Sequence, residues 1–207
     1  MPAEPPIAAV APRAVGLRSE RGPVLLALML TTGLVAIDGT IIATTVPSVV
    51  RDIGGFTDFP WLFSGYLLTQ AATVPLYGRF ADVVGRRPML LLGIGGFLLG
   101  SVLCGAAPSM SVLIVARAVQ GIGAGAVQPI TITIIGDLYT VEERARVQGY
   151  IASVWGASSV IGPTTGGLFS EYLSWRWIFF VNLPIGAVAT WMLVRAFHER
   201  VVRRSHA

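Results

Sequence analysis

Two ionisable residues stand inside long apolar runs of this chain, Asp38 and Arg117. A charge at the centre of a membrane helix costs about 2.5 to 3.5 kcal/mol even on a mild scale, so each is a functional candidate. If the run holding Asp38 crosses outward and the run holding Arg117 crosses inward, each residue sits about six positions from an outer helix end. At 1.5 Å per residue both then lie roughly 8 to 9 Å below the outer surface, where they could meet. Two chemistries follow from such a meeting. One is a buried ion pair that fixes helix register; the other is a proton or substrate site, in which separating the pair changes the proton affinity of the carboxyl.

Helical spacing extends the polar set. Arg117, Gln120, Ala124, Gln128 and Thr131 fall three or four residues apart or at sums of these, giving one helix a polar stripe. Such a stripe faces an aqueous cavity or other helices, and interhelical hydrogen bonds serve the second case. The same run holds Gly121, Gly123 and Gly125, while Ser158, Gly162 and Gly166 recur at four-residue spacing further on. Small residues so spaced let helix backbones approach closely, and Pro163 removes a helical hydrogen bond among them. Trp175 and Trp177 read as interfacial anchors.

Composition describes the elements that must hold these groups. With 54% hydrophobic residues, 13% charged residues and net charge +4, the chain is an integral membrane protein. The arginines are dispersed among loops rather than gathered on one face, which argues against nucleic acid as a partner. Cys104 has no second cysteine, and His198 and His206 both lie in the polar tail, which excludes a disulfide framework, a thiolate metal site and a histidine triad. No nucleophile, base and orienting group converge, so an enzyme is not expected and no cofactor is implied.

Residues 1–22 are rich in proline and alanine and read as a disordered tail; prolines break the continuous apolar core that a cleaved signal peptide needs, so none is expected. Six apolar segments follow, near 24–47, 61–77, 89–107, 112–135, 147–169 and 177–195, each near the length that crosses a bilayer. Together they predict a six-helix bundle over 23–195, followed by a basic tail, 196–207, suited to anionic lipid. Pro23, Pro60 and Pro88 fit first turns, Ser109 or Ser111 fits the start of the fourth span, and Thr140 with Glu143 has capping-box spacing. With both termini inside, twelve of the fifteen arginines lie on the inner side and only Arg51 and Arg176 on the outer. The expected place is therefore a cell's inner (cytoplasmic) membrane, multi-pass, with the lipid bilayer as a partner. Between the second and third spans, Gly78 to Leu90 reads as a charged cytoplasmic loop with Asp82, Arg86 and Arg87.

The loop Gly78, Asp82, Gly85, Arg86, Arg87 resembles the signature between spans two and three of the major facilitator superfamily, departing at Phe80 and Val83. Asp38 to Pro47 resembles that family's first-span motif, in which a threonine two residues after the aspartate recurs, here Thr40. Leu113, Arg117, Gln120, Gly121 and Gly123 resemble the fourth-span motif, whose arginine is associated with proton transfer. Gly149, Gly162, Pro163, Gly166 and Gly167 resemble the fifth-span antiport motif, with Ser158 in place of a usual glycine. The tryptophan-rich segment from Trp175 is similar to one in the fourteen-span drug:proton antiporters. The resemblance implies an all-α fold, six transmembrane helices as two inverted three-helix repeats, forming the N-terminal half of a transporter. It implies proton-coupled export of hydrophobic or cationic small molecules by alternating access, with protons and the small molecule as partners and the proton gradient as energy source.

Under this resemblance Asp38 and Arg117 carry proton coupling or substrate, Thr40, Gln120, Gln128 and Thr131 line the cavity, and the loop is a gate that braces two halves. Gly149, Ser158, Gly162, Pro163, Gly166 and Gly167 pack the antiport helix. Because alternating access in this fold uses two six-helix bundles, three readings stay open: a fragment, a half that pairs with a second copy or separate partner, or an inactive relic. A non-transporting membrane protein that modulates a full transporter is the alternative function. Two structural expectations follow for a lone half: its polar stripe would face lipid, and Asp82, Arg86 and Arg87 would make few strong contacts.

Overall fold

The computed structural model describes residues 16–197, which form helices joined by short connections. In order these are α1 (Gly22–Ile53), α2 (Pro60–Val84), α3 (Arg86–Gly105), α4 (Met110–Leu138), α5 (Val141–Tyr172), α6 (Trp177–Phe180) and α7 (Asn182–Ala196), with no strand among the described residues. The last two run on as one span, Trp177–Ala196, broken only at Val181. Six long helices thus stand where six apolar segments were expected, most of them longer than those segments. Four are long and apolar enough to cross a bilayer by composition: α1, α3, α4 and the α6–α7 span. The other two, α2 and α5, are long enough but more polar; α5 carries exposed Ser153, Ser159 and Thr164 and half-buried Thr165, each satisfied by a carbonyl of its own helix.

The tail readings for 1–15 and 198–207 lie outside the described residues. Residues 16–21, the described part of the expected tail, make turns against the bundle. Ser19 donates to the Gly16 carbonyl, and Arg21 bonds the Leu138 carbonyl and pairs with Glu143 at 3.0 Å.

Local chemistry sets the helix ends. Ser109 caps α4 by accepting from the Val112 amide at 3.4 Å. Thr140 and Glu143 form the expected capping box on α5, the Thr140 amide donating to Glu143 Oε2 at 3.0 Å. Two cations close the far end of α4: Arg21, on the Leu138 carbonyl, and Arg144, which donates to the Gly136 and Tyr139 carbonyls at 2.6 and 3.1 Å. Glu142, in the first turn of α5, is held below the usual carboxylate range by its own backbone N–H and by the Thr140 side chain.

The predicted loop from Gly78 to Leu90 is not a loop. Helix α2 runs to Val84 and α3 begins at Arg86, so Gly85 alone makes the turn, at φ 112°, a region that disfavours any side chain.

In the bundle, α2 and α3 pack along α4, α5 and α7 pack along α1, and α1 meets α4 at the centre. Two side-by-side contacts share one construction. On α1, Thr40 and Thr44 seat against Gly162 and Gly166 of α5, where a Cβ would strike the threonine hydroxyls. On α2, Thr69 and Thr73 seat in the same way against Gly121 and Gly125 of α4. In each joint a threonine hydroxyl also donates across the interface: Thr40 to the Ser158 carbonyl at 2.9 Å, Thr69 to the Ala118 carbonyl at 2.8 Å.

The apolar interior falls into two clusters. One gathers Leu25, Leu28, Ile94, Phe97, Ile130 and Leu193; the other gathers Ile41, Leu62, Leu113, Trp175, Ile178 and Phe179. Along α1, α3, α4 and the α6–α7 span, the buried polar residues between the two clusters are Asp38, Ser101, Arg117 with Gln120, and Asn182. A polar layer therefore interrupts the core.

Candidate functional site

The layer is built from one or two residues per helix. Arg117 Nη1 lies 2.6 Å from Asp38 Oδ2, and each side chain is only 1% exposed. The same nitrogen donates to Gln120 Oε1 at 2.6 Å, and Nε donates to the Leu62 carbonyl at 3.4 Å. The guanidinium carbon stands 4.1 Å from the centre of the Tyr66 ring and 6.0 Å from that of Phe179, so aromatic faces support the charge where water is excluded.

The second carboxylate oxygen faces neutral donors. Gln120 Nε2 donates to Asp38 Oδ1 at 2.8 Å and Asn182 Nδ2 donates to it at 2.9 Å. Ser101 Oγ accepts from both amides, at 2.8 and 3.2 Å. Cys104 Sγ donates to Gln120 Oε1 at 3.6 Å. Asp38 therefore receives three hydrogen bonds from three side chains, one of them cationic. The bond from Arg117 is charge-assisted and the shortest of the three, and any motion that withdraws Arg117 removes it.

Sequence spacing brings Asp38 and Arg117 to one depth, and the structure places them in direct contact. It treats the other expected residues differently. Gln120 is fully buried as the bridge between Arg117 and Asp38. Thr131 is buried, with no hydrogen-bond partner for its hydroxyl, and Gln128 is half-buried. The polar stripe of α4 faces the bundle interior, not lipid, because α1 covers the layer that holds its charge. Thr40, expected beside a cavity, seats against α5.

On α5, Ser158, Gly162 and Gly166 form the contact with α1, whereas Gly149 and Gly167 are exposed with open space beside them. Pro163 lies within α5, half-buried beside Gly162.

At the Gly85 turn the expectation of few contacts fails. Arg86 Nε lies 2.7 Å from Asp137 Oδ2 at the end of α4, and its Nη2 lies 3.8 Å from Asp82. Arg87 donates to the Val194 carbonyl of α7 at 2.7 Å. An acidic Asp137 in the last turn of a helix opposes the helix dipole, and the cation of α3 offsets that cost. Gly78 and Asp82 are helical here, and Asp82 is exposed.

Trp175, read as an interfacial anchor, is buried and donates from Nε1 to Asp52 at 2.9 Å. Arg176 pairs with the same carboxylate at 2.6 Å, while Trp177 is exposed as expected of an anchor.

Three members of the layer escaped the sequence reading: Ser101, Asn182 and Tyr66. None carries a formal charge, so none stands out by transfer cost. The one available signal was Asn182, the single asparagine of the chain, set in an apolar run.

A family model described as Major Facilitator Superfamily matches residues 28–207. Among curated proteins, the chain is 41% identical over 181 residues to multidrug resistance protein 3 of Bacillus subtilis, covering 87% of this chain and 35% of that protein. It is 40% identical over 185 residues to the multidrug transporter protein MdtP of the same organism, covering 89% and 34%. The MFS-type efflux pump LUC4 of a Fusarium species is 40% identical over 171 residues, at 83% and 30% coverage. The chain thus spans about a third of the length of these relatives. The human organic anion transporter MFSD10 shares the fold, with TM-score 0.71 at 20% identity over 84% of this chain and 47% of that one.

Proposed function

Since the chain belongs to the major facilitator superfamily, we propose that it is the first six-helix half of a proton-coupled drug exporter of the fourteen-span type. It works by alternating access, and its cargo is hydrophobic or cationic small molecules. The observation that carries this reading is the Asp38–Arg117 pair, 2.6 Å apart in a layer closed to water. A static ion pair of this kind gives little net stability, because desolvating two charges offsets their attraction. Its use is as a switch: proton uptake on Asp38 releases Arg117, and rocking of the helices separates them. The names of the efflux relatives support the cargo class. The reading requires no cofactor, only a proton gradient.

The inverted-repeat arrangement is part of the proposal. If α1–α3 and α4–α7 are counterparts, α1 corresponds to α4 and α2 to α5. The α1–α5 joint then corresponds to the α4–α2 joint. Both are built from threonines seated on glycines four residues apart, with the threonines on the first three-helix unit in each case. The more polar helices α2 and α5 face the counterpart six-helix half. The Gly85 turn lies on the cytoplasmic side with both termini, where Asp82, exposed and only loosely paired with Arg86, is free to brace that half. The membrane is the cytoplasmic membrane of the cell.

The test is efflux of a cationic dye from liposomes driven by a pH gradient, using the chain with its oligomeric state measured. Asp38→Asn abolishes gradient-driven flux while leaving the protein folded. Undiminished gradient-driven flux in that variant overturns the assignment.

A further inference from the structure

Of the three side chains bonded to the Asp38 carboxylate, Asn182 differs in one respect. Its Oδ1 is buried with no hydrogen-bond partner, while its Nδ2 serves both Asp38 and Ser101. A buried acceptor left empty costs free energy, so the amide is not at rest in the way a purely structural asparagine would be.

A proton arriving on Asp38 has few places to go. Oδ2 faces the Arg117 guanidinium at 2.6 Å, a group that can only donate. Oδ1 faces two neutral amides, and an O–H formed there needs one of them to present oxygen. Gln120 is unable to do so cheaply, because its Oε1 already accepts from Arg117 and Cys104, and turning it would set an NH2 group against the guanidinium. Asn182 is able to. Turning its amide over places Oδ1 where Nδ2 now stands, beside both Asp38 and the Ser101 hydroxyl. Ser101 Oγ can accept from Gln120 and rotate its hydrogen toward Asn182. One atom of the amide lacks a partner in either orientation, so the charge state of Asp38 decides between them.

We propose that Asn182 is a positioning residue that follows the protonation of Asp38, its amide donating to the carboxylate and turning over to accept from the carboxylic acid. The inference rests on the reading of Asp38 as the proton carrier and goes beyond it. Asn182 is the first residue of α7, next to the Val181 break. The turn of its amide carries the proton's presence from α1 to the α6–α7 span, which Asp38 meets through its hydrogen bond with Asn182.

The other ionisable groups facing Asp38 are Arg117 from α4, Tyr66 from α2 and Cys104 from α3. On α5 the ionisable side chains lie toward the two ends, Glu142, Glu143, Arg144, Arg146 and Tyr150 at one and Glu171 and Tyr172 at the other, and α1 holds Arg51 and Asp52 at its far end. From the α6–α7 span the group that meets the carboxylate is Asn182 itself.

Because Asn182 is the single asparagine of the 207 residues, asparagine labelled with 13C at Cγ reports this side chain alone. The labelled chain is placed in liposomes and titrated by solid-state NMR, in parallel with infrared detection of the carboxylic-acid C=O band that Asp38→Asn removes. The expected result is one Cγ signal that shifts along the same titration curve as the infrared band and becomes independent of pH in Asp38→Leu, which adds no second asparagine. In Asn182→Leu the band moves to higher frequency, since the acid has lost its acceptor. An Asp38 band that grows while the Asn182 signal stays fixed overturns the inference and leaves the proton-carrier reading intact. No Asp38 band down to the acid limit of folding overturns both.

Discussion

Replacing Asp38 by leucine and Arg117 by methionine, singly and together, tests whether the buried pair is a charge pair in balance or a mere contact. In Asp38→Leu, Gln120 and Asn182 each keep Ser101 as a partner, so little is lost at the amides. The guanidinium keeps Gln120 Oε1, the Leu62 carbonyl and the Tyr66 face, but no anion. An unpaired buried charge of this kind costs about 3 to 5 kcal/mol. Arg117→Met leaves Asp38 with two amide donors, and hydrogen bonds to a charged group are worth about 1.5 to 3 kcal/mol each, so this variant is the less damaged single. The double variant replaces the pair with apolar side chains of similar bulk and returns to within about 1 kcal/mol of the parent, because the desolvation cost is removed together with the attraction. The assay is unfolding of the micelle-bound chain by increasing SDS, followed by the fluorescence of its 5 tryptophans. A coupling of about 3 kcal/mol is expected. Two single effects that simply add, with the double variant the least stable of the set, would refute the reasoning.

The same titration separates two glycines. Gly123→Ala drives a methyl group onto the Phe97 backbone nitrogen and to 2.6 Å from the Gly93 carbonyl, backbone that has no rotamer to change, and costs about 1 to 3 kcal/mol. Gly149→Ala, in open space on the exposed side of α5, stabilises by about 0.5 to 1 kcal/mol. At the start of α5, the depressed pKa of Glu142 gives a contribution to helix stability that is full above the ordinary carboxylate range and lost as pH falls through the depressed value. Backbone NMR signals of the first turn should follow that acid limb, and Glu142→Gln should abolish it.

The helices were legible because a bilayer demands some twenty apolar residues per crossing, and the meeting of Asp38 with Arg117 was legible because depth is fixed by residue count from a helix end. Rotation about the helix axis was not. Thr40 follows Asp38 by two residues and so points well away from it, toward α5, a geometry that spacing gives only relative to a face whose direction is unknown. The turn at Gly85 is shorter than its charged residues predict, because Asp82 and Arg86 occupy the ends of two helices where water and ion pairs reach them. Ser101, Tyr66 and Asn182 were not found because an uncharged polar group in an apolar run has too many ordinary uses. Their common feature, a place around the Asp38–Arg117 pair on neighbouring helices, exists only after the chain is packed.

The threonine joints decide how such a bundle is able to move. The Thr40 hydroxyl lies 2.9 Å from the Ala36 carbonyl and 3.1 Å from the Ile37 carbonyl of its own helix, as well as 2.9 Å from Ser158 across the interface. Thr69 likewise reaches Gly65 and Tyr66 on its own helix besides Ala118. When one helix slides past the other, each hydroxyl loses a foreign acceptor and keeps a local one, so no donor is stranded in a medium without water. The interface is tight in register yet has no large electrostatic barrier to shear, the friction of a lubricated bearing rather than that of a bolted plate.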